Sequence, residues 1–419
     1  MQIDSLKVRN YRCIGEIKLD NISPITVFVG RNNTGKSAML EAVALATTGY
    51  ATWYDSLDKD ILSAISQRRG GGEYADMMIK LGENEAEISA SGEKFKADLQ
   101  ITHNIKYLSD EIASLIYSIL DQYIEENYFK FKNIMGRYHA DLPPNKEQLF
   151  YNLLRDYSDL LKHNISNLFK VIISYKSDFN NKPEFALLGN SDEFKKSIEG
   201  IEGKINEIFT VRNKNKTSKK FKPYIPPFNE LIRSQSQKKS NTLYLLDSSL
   251  IYFQNLMNQL TKSGQLINLL DFLRDRISYF EDIREINKKY LIFLKGLNRP
   301  VPLEAMGDGF RIKLILLSSI ASVKKGIALM EEPENNLHPG YMSLVANQII
   351  KTAATKDVQY FISTHSLEFI KFLLEEDSNL VKIVRMYRME DEPEIDYEIL
   401  TDAEAIEEYK VLKMDLRGI

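Results

Sequence analysis

Cysteine and tryptophan are almost absent: the 419-residue chain has one of each, Cys13 and Trp53. A single cysteine excludes a disulfide framework and a thiolate metal centre. Histidine is also scarce, and His103, His139 and His163 stand alone, without the paired spacing that metal ligands need. No apolar run reaches the roughly 18 residues of a membrane-crossing helix. The opening MQIDSLKVRN has no apolar stretch of a signal peptide, so the expected setting is reducing and cytoplasmic, with no membrane. Charge of neither sign dominates, the net value being −3. That balance excludes nothing about nucleic acid until the distribution of charge is read. Hydrophobic residues make up 43%, enough to bury the core of one large domain or two ordinary ones.

The chain alternates in character. Ile3, Leu6, Val8, Ile14, Ile17 and Leu19 predict a β-hairpin with Gly15 near its bend. ITVFV at 25–29 is short, unbroken and β-branched, as a strand buried on both faces is. A glycine-rich loop follows, then AMLEAVAL, a run of strong helix formers. ADMMIKL, EAEISAS and KFKADLQITH, between 75 and 103, predict a three-stranded meander. From 107 to 300 helical spacing prevails, without heptads sustained enough for a coiled coil. After 300 the pattern returns to helix (GFRIKLILLSSIASV), strand (GIALM), helix opened by Pro339, strand (VQYFIS), helix (SLEFIKFLLEE) and a closing hairpin. The expectation is an α/β domain interrupted by an insertion, with lobes at 1–106 and 246–419 and a helical subdomain at 107–245.

Two motifs carry chemistry. Gly30-Arg31-Asn32-Asn33-Thr34-Gly35-Lys36-Ser37 fits G-x-x-x-x-G-K-[ST] between a strand and a helix. Its glycines let backbone N–H groups wrap phosphates, Lys36 reaches the β/γ oxygens, and the Ser37 hydroxyl ligates Mg²⁺. Ile327 to Met330 followed by Glu331-Glu332-Pro333 is an apolar strand ending in two acids. The first acid suits Mg²⁺, and the second suits orienting or deprotonating the attacking water. Lys36 and Glu332 lie 296 residues apart, so a site containing both is assembled from distant lobes.

These motifs in this order resemble the ABC-type, AAA-family ATPases that include RecF, the SMC proteins and, most closely, the OLD family. VRNYRCIGEIKLDNISPITVFVGRNNTGKSAMLEAV resembles their opening, ALMEEPENNLHP their Walker B and D-loop, and YFISTHS their H-loop. The resemblance implies an α/β P-loop ATPase head of ABC type, with an antiparallel N-terminal β subdomain and an inserted helical subdomain. It implies ATP and Mg²⁺ as ligands. It assigns catalysis to Lys36, Glu332 and His365, with His365 sensing the γ-phosphate. Nucleotide binding falls to Arg12, Gly30, Asn32, Asn33, Thr34, Gly35, Lys36 and Ser37, and metal binding to Ser37 and Glu331. Gly307, Asp308 and Gly309 occupy the signature position, which caps ATP bound to the opposite subunit. Three departures stand out: Glu331 replaces the usual aspartate, Gly307 the signature serine, and His338 a D-loop aspartate. Gln67 and Gln100 are candidates for the Q-loop. Only 54 residues follow His365, with no second acidic cluster, so a TOPRIM nuclease domain is not expected.

Residues 211–240 carry nine basic side chains against Glu230 alone. A solvated loop, a phosphate-backbone contact through Lys219, Lys220 and Lys222, and a protein-binding segment are all open readings. Three functions compete. One is an ATP-hydrolysing switch, a homodimer or higher oligomer closed by an ATP sandwich, acting on nucleic acid or on a separate nuclease in genome maintenance or defence against mobile elements. The second is an ATP-gated scaffold with little turnover. The third is a nucleic-acid-binding structural protein.

Overall fold

The computed structural model describes residues 2–48, 77–103, 169–178, 180–190, 242–245, 250–287, 289–323, 325–389 and 394–408, together with Ile65, Arg69, Gln148, Asn152 and Arg155. The basic run 211–240, with Lys219, Lys220 and Lys222, lies outside them, as do Gln67, Trp53, His139 and His163.

The predicted hairpin forms from β1 (Ser5–Arg9) and β2 (Glu16–Asp20). Leu6 faces Leu19 and Val8 faces Ile17, and all four are buried. The chain reverses on left-handed backbone at Asn10 and Arg12 (φ 52° and 55°), while Gly15 keeps an ordinary φ. β1 also pairs with β4 (Glu85–Gly92), which pairs with β5 (Phe95–Thr102). The segment 75–81 is not the expected third strand. Its described residues make one isolated bridge, Ile79 to Tyr11, and their backbone groups bond the hairpin bend, Arg12 N–H to Met78 O and Lys80 N–H to Asn10 O. A curved bend offers no straight edge to pair with.

Two strands instead come from the stretch expected to be helical. β6 (Phe169–Ser177) and β7 (Asn180–Asn190) complete an antiparallel sheet of order β2-β1-β4-β5-β6-β7. Val171, Ile173 and Tyr175 point inward at period two, the strand period.

The second sheet has order β15-β14-β3-β13-β12-β8. It contains β3 (Ile25–Val29), β8 (Thr242–Leu245), β12 (Gly326–Glu331), β13 (Val358–Thr364), β14 (Val381–Tyr387) and β15 (Asp396–Leu400). Its pairs are parallel except for edge strand β15, the expected closing hairpin with β14. Every residue of β3 and β13 is buried, as central parallel strands require. A small antiparallel sheet joins β9 (Phe280–Ile286), β10 (Lys289–Leu294) and β11 (Val301–Pro302).

Helix α1 (Lys36–Thr48) lies between the two large sheets. Residues 38–46 are at most 2% exposed around the whole circumference, the pattern of a helix with no solvent face. Leu6, Ile88 and Leu99 of one sheet and Phe28, Leu329 and Phe361 of the other share its cluster. The opposite face of the parallel sheet is covered by α2 (Leu250–Lys262), α3 (Leu266–Arg276), α4 (Asp308–Ser322), α5 (Pro339–Lys356) and α6 (Leu367–Asp377), with α7 (Asp402–Ile406) near the end of the described chain. Among the described residues no helix is long and apolar enough to cross a membrane. The fold is the expected α/β architecture with an antiparallel β subdomain, and the described residues of 107–245 contribute strands β6, β7 and β8 to the two large sheets.

Ala42 sits in the two-sided part of α1. Ala42→Leu is expected to cost about 1–3 kcal/mol by overpacking, while Ile267→Ser on exposed α3 stays within about 0.5 kcal/mol; urea midpoints of the two variants check this.

Candidate active site

Three neighbouring strands end on one side of the parallel sheet. β3 runs into the loop 30–35, β12 ends in Glu331, and β13 ends one residue before His365. The register sets Thr364 beside Val29 and Ser363 beside Glu331. Crevices at the carboxyl ends of parallel strands are where such sheets bind ligands.

The loop needs its glycines. Gly30 has φ 147°, and a Cβ there would lie 2.1 Å from the Met386 carbonyl of β14. Gly35 has φ 88°. Asn33 takes the left-handed region at φ 62°, which asparagine tolerates better than most side chains. Arg31, Asn32 and Asn33 are exposed, whereas Thr34, Gly35 and Lys36 are buried. The Thr34 hydroxyl donates to Arg31 O at 2.8 Å. Lys36 Nζ donates to Gly30 O and Arg31 O, each at 2.8 Å, so the lysine braces the cradle it would serve. Burial lowers the Lys36 pKa, and the charges of Glu332, Glu334 and Glu331 oppose that shift. The three carboxylates thus help keep the buried lysine charged.

Ser37 Oγ donates to Glu331 Oε1. Mg²⁺ takes hard oxygen donors and binds through one or two protein groups, waters and substrate phosphates. The touching hydroxyl and carboxylate fit it, and they suffice although no group of three or more His, Cys, Asp or Glu among the described residues is arranged to hold a metal alone.

Glu332 is held at φ 46°, unfavourable for a non-glycine residue. Its N–H donates to Ser363 O at 2.8 Å, so the sheet pins its backbone. Its Oε1 is 3.2 Å from His365 Nδ1, and its Oε2 accepts from Asn335 Nδ2 at 2.8 Å.

The remaining expected residues are placed elsewhere. Arg12 Nη1 donates to Glu41 Oε2 at 2.7 Å, and Arg69 Nε donates to Glu41 Oε1 at 2.8 Å. Arg69 Nη2 lies 3.7 Å from Glu331 Oε1. Gly307, Asp308 and Gly309 begin α4; Gly307 O accepts from Phe310 and Arg311, Asp308 pairs with Arg311, and Gly307 faces open space. A Cβ on Gly309 would lie 3.1 Å from Asn336 O. His338 caps α5, accepting from Gly340 N–H at 3.3 Å. Gln100 is exposed on β5 and bonds Glu85.

The family model described as AAA ATPase domain matches residues 1–370. The chain belongs to this family. A Helicobacter pylori protein named ATP/GTP phosphatase is 22% identical over 88% of this chain and 87% of its own. An uncharacterized Methanocaldococcus jannaschii protein is 32% identical over 27% of this chain and 100% of its own. Among solved structures, an SMC head bound to the C-winged helix domain of ScpA aligns with TM-score 0.46 and 11% identity, over 97% of this chain and 100% of that one. An SMC head with an extended coiled coil bound to the C-terminal domain of ScpA, from Pyrococcus furiosus, aligns at 0.46 and 12%, over 98% and 99%.

This AAA ATPase has site groups that motif reading missed. Glu41, 1% exposed, is clasped by Arg12 and Arg69 and also accepts from the Tyr11 hydroxyl at 3.3 Å. The single acid inside the apolar run AMLEAVAL was the available signal, since a buried carboxylate needs cationic partners. Arg69, in SQRRGGGE, gave none. Glu41→Gln leaves two guanidinium groups facing a neutral amide, and a loss of about 3 kcal/mol is expected; the urea unfolding midpoint measures it.

Proposed function

We propose that this AAA ATPase hydrolyses ATP with Mg²⁺ between two copies of the chain. The observation that carries the reading is the Glu332–His365 pair, 3.2 Å apart, at the strand ends that also carry Lys36, Ser37 and Glu331. The likeness to a protein named ATP/GTP phosphatase supports phosphohydrolysis.

The loop N–H groups and the N-terminus of α1 bind the phosphates, which complement the partial positive charge there. Lys36 exchanges the carbonyls of Gly30 and Arg31 for phosphate oxygens. Ser37 and Glu331 would hold Mg²⁺, which when bound would neutralise charge on the phosphate oxygens. Glu332 takes the proton of the attacking water, oriented by His365 on one oxygen and Asn335 on the other. His365 also faces the γ-phosphate, and so reports its loss. Arg12, committed to Glu41 on α1, acts on the site through that helix.

Gly307, Asp308 and Gly309 of a second copy close the site. The open space at Gly307 and a helix start without a side-chain cap support this, because such a start suits an incoming phosphate. Opening and closing of this sandwich is the switch. The segment 107–245 passes it to nucleic acid, a partner supported by the charge of 211–240, or to a separate nuclease.

Gly307 has φ −59° and no neighbour within 4 Å of an added Cβ, so Gly307→Glu preserves the fold and repels a phosphate in trans. Lys36→Ala and Gly307→Glu are each expected to lack steady-state turnover. An equimolar mixture is expected to recover roughly a quarter of wild-type activity, since half of random dimers carry one intact composite site. No recovery, or full activity of Gly307→Glu alone, contradicts the shared site.

A further inference from the structure

One more carboxylate is enclosed beside the hydrolytic pair. Glu334 is 5% exposed. Its Oε1 accepts from the Thr364 hydroxyl and from the His365 backbone N–H, the latter at 3.3 Å. Thr364 Oγ1 in turn accepts from Ser366 N–H at 2.9 Å. Ser366 caps α6, its hydroxyl accepting from Phe369 N–H at 3.2 Å. A single carboxylate oxygen thus fixes three consecutive residues, Thr364 to Ser366, where the chain leaves β13 and enters α6.

The consequence falls on His365. Its side chain is 47% exposed, and its backbone N–H on Glu334 sets where the imidazole starts. Glu332, Glu334 and Asn335 all lie in one tight turn, closed by Asn335 N–H to Glu332 O at 3.1 Å and Leu337 N–H to Glu334 O at 2.9 Å. The turn that carries the base therefore also grips the strand end that carries its partner. Glu332 and His365 are held at contact distance from both sides.

The arrangement has a cost that packing alone does not explain. Glu334 Oε2 is buried without a hydrogen-bond partner, and an unsatisfied buried polar atom costs about 1–3 kcal/mol. Burial raises the Glu334 pKa, against the pull of Thr364 and His365. Buried, partly satisfied polar groups concentrate where function needs them.

We infer that Glu334 is a positioning residue for hydrolysis, acting through Oε1 to set the His365 backbone so that the imidazole meets Glu332. The inference rests on the reading of Glu332 and His365 as the hydrolytic pair.

The test is ATPase kinetics of the full chain for Glu334→Ala, Glu334→Gln, His365→Ala and the double variant Glu334→Ala/His365→Ala, with Kd for Mg-ATP measured alongside. Glutamine keeps the Oε1 acceptor, so Glu334→Gln is expected to stay within about threefold of wild-type kcat. Glu334→Ala is expected to lower kcat about 10- to 100-fold with KM and Kd little changed. The double variant is expected to be no slower than His365→Ala, since both lesions remove one function. Multiplying losses in the double variant, a Glu334→Gln as slow as Glu334→Ala, or equal falls in kcat and ATP binding overturn the inference. If Glu334→Ala does not fold, Glu334→Met, which fills the same volume without an acceptor, takes its place in the single and double variants, and the same outcomes decide the inference. Wild-type turnover in His365→Ala instead overturns the pair itself, and is distinguishable from a failure confined to position 334.

Discussion

Helix α1 is enclosed by two sheets that share no strand, and that burial fixes Lys36 and Ser37 at its start. A helix with one wet face can roll or slide; α1 has none over residues 38–46. Its alanines let the antiparallel sheet and the parallel sheet approach together. Each fully buried Met, Leu or Val along it contributes roughly 1.5–3 kcal/mol. Its first residue is Lys36 and its second is Ser37, so the core fixes the cradle before any ligand arrives. The buried Glu41, clasped by Arg12 and Arg69, ties the same helix to the hairpin bend, and Arg69 carries the connection on toward Glu331.

The second constraint is strand order. β13 lies between β3 and β12, so residues from opposite ends of the chain become neighbours without any long side chain reaching across. Strain is concentrated here. Glu332 sits in a backbone region that costs a non-glycine residue about 1–2 kcal/mol, and the ladder bond to Ser363 holds it there. Released, the carboxylate would turn away from His365. The departures from the family pattern read differently in three dimensions. Glu331 accepts from Ser37, and His338 serves as a helix cap.

The elements that build the site were legible because each carries its signal locally. ITVFV, GIALM and VQYFIS are unbroken apolar runs, and the glycine loop and paired acids are punctuated by residues with little freedom. What was not legible depends on partners far away in sequence. ADMMIKL looks like a strand, yet its backbone bonds serve the bend at Asn10 and Arg12. FKVIISYKS alternates at period two but lies in a stretch whose spacing reads as helical, and pairing with β5 and β7 makes it a strand. Glu41 is a lone acid in an apolar run, but its partners Arg12 and Arg69 come from elsewhere in the sequence. Glu334 reads as one more acid in a turn until Thr364 and His365 meet it.

The account stands on Glu332 acting as the base while the phosphates are bound by other groups. Glu332→Gln keeps the size of the side chain and removes its basicity. At saturating Mg-ATP its kcat is expected to fall by about 10²–10⁴, the range for loss of a general base, with Kd for ATP close to that of the wild type. Undiminished kcat in that variant would contradict the account.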